Sequence, residues 1–173
     1  MKKVYILSGP PGVGKSTTSR ELVKYFPNSA YISGDQVSHM HVNGRVKPWE
    51  SQEENRLIWD NILSLTENFL TYDNTVVIDY VTFPHEAQRL YERLEDLNVE
   101  VMYIVLWAEK EILKLRDNER ESEFRMGERS LIVMEELRDS GLTEKHVLDT
   151  TNYAIDDLPT IVTGIIQESK YKL

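Results

Sequence analysis

The sequence predicts an α/β fold built around a parallel sheet, and three observations predict it. Short apolar runs alternate along the chain with longer segments of helical period. Three of those runs are almost continuously apolar, as strands covered on both faces are. A glycine-rich turn joins the first run to the first helical segment.

Taken in order, the strand candidates are Lys3–Leu7, Ala30–Ile32, Val76–Tyr80, Val99–Trp107 and His146–Leu148. Between the second and third, Ile58, Ile62, Leu65 and Phe69 step by four, three and four, one stripe along a helix over Ser51–Tyr72. Ala87, Leu90, Leu94 and Leu97 repeat the pattern after Pro84, a residue suited to a first helical turn. Glu109–Gly141 reads as two helices, because the apolar period fails near Ser122–Gly127. A last stripe runs through Leu158, Ile161, Val162, Ile165 and Ile166, with Asp156 or Asp157 placed to cap it. Ser33–Glu50 shows no clear period.

A chain of 173 residues is the size of one domain, so a single domain is expected over residues 1–173. Lys and Arg number 20 against 29 Asp and Glu, a net charge of -9, which argues against a surface that coats nucleic acid. The absence of cysteine removes disulfide scaffolds, thiolate nucleophiles and Cys-ligated zinc. The apolar run Val4–Leu7 is too short for a leader, and no stretch approaches a membrane span. A soluble, cytoplasmic protein with no membrane partner is expected. No extra apolar stripe marks a subunit contact, so the default expectation is a monomer.

The strongest signal is Gly9-Pro10-Pro11-Gly12-Val13-Gly14-Lys15-Ser16, which fits G-x-x-x-x-G-K-[ST] between a strand and a helix. Its glycines let the backbone wrap closely around a phosphate, and the helix start turns N–H groups and partial positive charge toward it. Lys15 brings a full charge to the β- and γ-phosphates of ATP, and Ser16 offers a hydroxyl to Mg²⁺. Residues Gly9 to Thr17 are therefore the expected nucleotide cradle.

Weaker signals lie elsewhere. Asp35 follows the second strand at the edge where parallel sheets bind ligands, and is a candidate general base for an attacking hydroxyl. Its alternative is capping of a helix that starts at Gln36. Asp79 closes the apolar run Val76-Val77-Ile78, the form of a Walker B carboxylate that reaches Mg²⁺. Capping a turn is the bland alternative. Arg116 and Arg120, then Arg125 and Arg129, are pairs four apart, each spaced to share a helix face. Arginines that close over a triphosphate stabilise the transferring group, whereas a solvated, ion-paired face needs no such role. His39 and His41 lack the further ligands a zinc site needs. Trp49 either packs on the acceptor or anchors its loop. Thr150-Thr151-Asn152 is explained as a strand-to-helix turn.

Together these motifs resemble the P-loop kinases of small molecules, among them gluconate, shikimate and adenylylsulfate kinases and chloramphenicol phosphotransferase. The resemblance covers most of the chain, and only the P-loop is highly specific. It implies a five-stranded parallel sheet in the order 2-3-1-4-5, with a mobile arginine-bearing lid at about residues 116–129. It implies Arg120 and Arg129 as the lid arginines, Arg120 also on nucleotide, and Thr151 in the loop over adenine. Kinases of this group often carry Asp-Gly-Asp where this chain has Ser33-Gly34-Asp35, so the first aspartate is missing. Gluconate kinases place a histidine shortly after Gly-Asp, which makes His39 and Trp49 substrate-binding candidates. In chloramphenicol phosphotransferase a similar aspartate faces the acceptor, so metal and acceptor both stay open for Asp79.

The expected activity is ATP- and Mg²⁺-dependent phosphorylation of a small-molecule hydroxyl, a sugar acid such as gluconate first and an antibiotic-like acceptor next. A nucleoside, nucleotide or polynucleotide 5′-hydroxyl kinase and a nucleotide-binding switch are the alternatives.

Overall fold

The computed structural model describes residues 2–173, the Phe124 side chain aside. Its sheet is formed by β1 (Lys2–Ser8), β2 (Ser29–Ser33), β3 (Thr75–Asp79), β4 (Val99–Trp107) and β5 (Val147–Asp149). The strands lie in the order β2-β3-β1-β4-β5, and all four pairings are parallel. The helices are α1 (Lys15–Leu22), α2 (Gly34–His39), α3 (Gln52–Thr71), α4 (Pro84–Leu94), α5 (Lys110–Asn118), α6 (Glu128–Asp139) and α7 (Leu158–Gln167). None of the described helices is long and apolar enough to cross a membrane.

The central strand explains why its sequence does not alternate. Val4 and Ile6 of β1 pack in one apolar layer, with Ile58 and Ile62 of α3 and Leu90 of α4. Tyr5 and Leu7 pack in the other, with Leu22 of α1, Leu113 of α5 and Val162 of α7. Val4 to Leu7 are all fully buried, each contributing roughly 1.5–3 kcal/mol of transfer free energy.

Several local expectations shift. Leu97 falls in a 3-10 turn after α4 and stays half exposed, and Phe69 of α3 is exposed while Trp59, Leu63 and Leu70 take the buried face. His146 belongs to a 3-10 turn before β5, where its Nδ1 donates to the Tyr103 carbonyl at 2.9 Å. Asp157 holds the N-cap position of α7 as expected, but its carboxylate makes no bond to that helix and instead closes the preceding turn by accepting from the Ala154 N–H at 2.8 Å. The predicted break between the two helices of Glu109–Gly141 is present, and it is wider, from the end of α5 to the start of α6. Neither arginine pair therefore shares a single helix face.

Register sets the functional edge. Asp79 pairs with Leu7 of β1 and with Ser33 of β2, so three strands end level. The turn after β1, the start of α2 and the Asp79 carboxylate meet at this carboxyl edge, where parallel sheets present ligands.

Candidate active site

The turn from β1 into α1 is a backbone device. Gly9, Gly12 and Gly14 all have positive φ, at 133°, 84° and 107°. At Gly9 the requirement is absolute in space as well as angle, because a Cβ there would lie 2.4 Å from the Leu106 carbonyl oxygen of β4. The Lys15 ammonium folds back over the loop and donates to the Gly9 and Pro10 carbonyls at 2.9 and 3.1 Å. Burial pushes the Lys15 pKa down, and the nearby Asp79 and Asp35 carboxylates act against that shift. Ser16 and Thr17 stand exposed at the start of α1.

A cavity of about 980 Å³ opens along this edge. Pro11 to Thr17 form its floor, and Arg120, Arg129 and Thr151 also line it. Asp35 and Trp49 line the same cavity. Gly9 and Pro10 lie outside the lining and serve as the carbonyl perch of Lys15. The nucleotide cradle and Asp35 thus face one space.

Asp35 is not the helix cap. Helix α2 starts at Gly34, and Ser33 caps it by accepting from the Gln36 N–H at 3.3 Å. This leaves the Asp35 carboxylate exposed toward the cavity with no hydrogen-bond partner among the described residues. Asp79 is buried, outside the cavity lining, and its Oδ2 accepts from the Tyr31 hydroxyl at 2.6 Å. Burial, and then the bond to Asp79, push the Tyr31 phenol up to about 12. Ser16 lines the cavity, whereas the Asp79 carboxylate does not. Among the described residues no three His, Asp or Glu side chains gather into a cage of their own.

His39 turns away. Its Nδ1 donates to the Asp35 carbonyl one helical turn back at 2.6 Å, and the ring does not line the cavity. Trp49 stands at the rim, 51% exposed, with the Arg129 guanidinium 5.2 Å from its ring centroid.

The four arginines divide by task. Arg116 donates to the Val13 carbonyl, to both oxygens of Thr150 and to the Tyr153 carbonyl, which ties α5 to the cradle and to the loop after β5. Thr151 completes that tie by accepting from the Glu109 N–H at 2.9 Å and donating to Asp149. Arg120 lies beside Asp117 at 3.3 Å, and Arg125 donates to the Arg120 carbonyl. Arg129 makes a two-point contact with Glu136, both distances 3.1 Å.

Four residues at the site escaped the sequence reading. Asp117 is buried against Gly12 and accepts from the Met126 and Gly127 N–H groups, so it anchors the Arg116–Arg129 segment. Burial raises its pKa, but those two N–H groups and Arg120 outweigh it and hold the carboxyl below its ordinary value. Arg45, Asn55 and Tyr80 also line the cavity. Tyr80 had one sequence signal, its place directly after a strand-end aspartate. Arg45 and Asn55 had none, since a lone polar residue on a helix or loop carries no spacing.

The sequence profile of a family described as an AAA domain matches residues 4–140. No curated protein matches the sequence significantly. Among solved structures, the chain resembles a gluconokinase from Sinorhizobium meliloti 1021, at 15% identity and TM-score 0.69, over 95% of this chain and 92% of that one. It resembles a sugar kinase from Janibacter sp. HTCC2649, at 14% identity and TM-score 0.68, over 98% and 96% of the two chains. It also resembles a Deinococcus radiodurans tunicamycin resistance protein, at 16% identity and TM-score 0.63, over 98% of each chain.

Proposed function

We propose that this chain, which belongs to the AAA domain family and has the fold of small-molecule P-loop kinases, transfers the γ-phosphate of ATP to a hydroxyl of a small molecule. The observation that carries the proposal is one cavity lined by both the Lys15 cradle and the unpartnered Asp35 carboxylate.

Lys15 leaves its carbonyl perch for the β- and γ-phosphates, exchanging two neutral acceptors for charged ones. Ser16, and Asp79 directly or through water, would hold a Mg²⁺ carried on the triphosphate, and the metal would supply charge neutralisation. Asp35 accepts the proton of the attacking hydroxyl. The new bond joins that oxygen to the γ-phosphorus, the bond from the γ-phosphorus to the β,γ-bridging oxygen breaks, and ADP leaves with the electron pair. Arg120 lines the cavity and stabilises charge on the transferring group. Arg129 joins it once its hold on Glu136 is released. Positioning and fixed charge do most of the work.

The test is transfer from γ-labelled ATP with Mg²⁺ to a panel of sugar acids, sugars, nucleosides and hydroxylated antibiotics, with products identified by mass. One phosphorylated product is expected. Its rate falls about 100-fold to 10,000-fold in Asp35→Asn while ATP affinity holds. Full turnover in that variant removes the base role.

A further inference from the structure

The acceptor side of the cavity holds three polar groups whose protein partners are incomplete in a directed way. Arg45 is the first. Its Nε donates to the Ser38 carbonyl at 3.1 Å and to the Ser38 hydroxyl at 3.0 Å, which fixes the plane of the guanidinium. Arg45 lines the cavity, and its two Nη groups have no hydrogen-bond partner among the described residues. A guanidinium held by one edge presents the other as a rigid fork, the geometry that takes a carboxylate or phosphate two-pronged.

Asn55 is the second. Its Nδ2 donates to Glu86 Oε1 at 2.9 Å. The same carboxylate accepts from Trp59 Nε1 at 2.9 Å and from the Phe83 N–H at 2.8 Å, so Glu86 is a buried, three-fold bonded post. A carboxylate only accepts, so the amide nitrogen must face it and Oδ1 faces away, open to a hydroxyl donor. Tyr80 is the third. It is 7% exposed, lies against Gly34, and its hydroxyl has no partner among the described residues. Burial first, and then the Asp35 and Glu86 charges, keep that phenol protonated far above ordinary pH. Polar groups that line a cavity without protein partners are the ones that fix a ligand's orientation there.

From this arrangement we infer that Arg45, Asn55 and Tyr80 form the acceptor-recognition subsite, and that the acceptor is a polyhydroxylated compound carrying an anionic group, carboxylate or phosphate. Arg45 takes the anion, Asn55 Oδ1 and the Tyr80 hydroxyl take hydroxyls, and Asp35 takes the hydroxyl that reacts. The inference rests on the transferase reading above and adds to it a charge requirement on the substrate. The acidic net charge of the chain does not oppose it, because the fork is local.

The experiment measures phosphate transfer to matched acid and neutral pairs: D-gluconate with D-glucitol, glucose 6-phosphate with glucose, and a nucleoside monophosphate with its nucleoside. Acids are expected to exceed their neutral partners by about 100-fold in kcat/KM, as a site built for a polar group rejects its analogue. The pair that responds separates a carboxylate from a phosphate. Arg45→Gln raises KM for the acid at least about tenfold and erases the preference, whereas Tyr80→Phe, which keeps the packing against Gly34, raises acceptor KM several-fold and leaves ATP affinity alone. Equal transfer to acid and neutral partners, or a preference unchanged in Arg45→Gln, overturns the inference and leaves the transferase reading standing. Transfer to no member of any pair or of the wider panel, with ATP still bound, overturns the reading and the inference with it.

Discussion

The two halves of the cavity are built by different means. The half proposed for nucleotide is one continuous turn, in which Pro11 to Thr17 line the cavity and the Gly9 and Pro10 carbonyls hold Lys15. The acceptor half is assembled from α2, the loop that follows it, the first turn of α3 and the segment after β3. Its contacts span long separations, as between Asn55 and Glu86. The first half is specified by the angles its glycines permit, the second by which elements the sheet brings together. A change confined to one half should therefore leave the other readable.

Lys15→Ala is the largest expected break. It removes charge-assisted contacts worth about 1.5–3 kcal/mol each, so ATP affinity falls roughly 100-fold or more while the fold and the acceptor half persist. Calorimetric ATP titration with a thermal melt checks both. An affinity that survives the substitution would mean that the cradle does not hold nucleotide.

Gly34→Ala breaks the other half. A Cβ there would stand 2.3 Å from the Tyr80 ring. Overpacking of this kind costs about 1–3 kcal/mol, and here it displaces Tyr80 from the acceptor side. Acceptor KM is expected to rise with ATP affinity unchanged. Equal loss of both would show the halves to be one cooperative unit.

Asp117→Asn has the smallest expected effect and sharpens the boundary between the halves, since Asp117 lies against Gly12 and holds the segment bearing Arg120. Loss of the charge-assisted bonds from Met126 and Gly127 costs about 1 kcal/mol and loosens that segment. The carboxyl is held low in the folded chain. Its contribution is therefore present above the unfolded carboxylate pKa and is lost as pH falls through the folded one. Denaturant melts between pH 6 and pH 3 (roughly the range around carboxylate titration) should show a shallower acid loss in the variant. Identical pH profiles would remove Asp117 as the anchor.

The arginines show how far spacing carries. Pairs four apart suggested helix faces, but α5 ends at Asn118 and α6 begins at Glu128, so Arg120 and Arg125 lie between helices. Arg116, in the sequence one more lid arginine, is used up by carbonyls of Val13, Thr150 and Tyr153. His39 matched a position in related kinases, yet its ring bonds its own helix. Periodicity reports which face of an element is apolar. It does not report which polar group on the other face finds a partner.

By itself the sequence determined the parallel α/β class, the cradle and the identity of Lys15, because these depend on neighbours: continuous apolar runs and glycines at positions of positive φ. The strand order came from family resemblance and agrees with the observed sheet. Only the tertiary structure decided that Asp79 is buried against Tyr31, that Ser33 frees Asp35 from capping, and that Arg45, Asn55 and Tyr80 converge. The physical reason is range. A turn's backbone angles are set by the residues in it, whereas the partner of a buried polar group is set by packing between elements far apart in the chain.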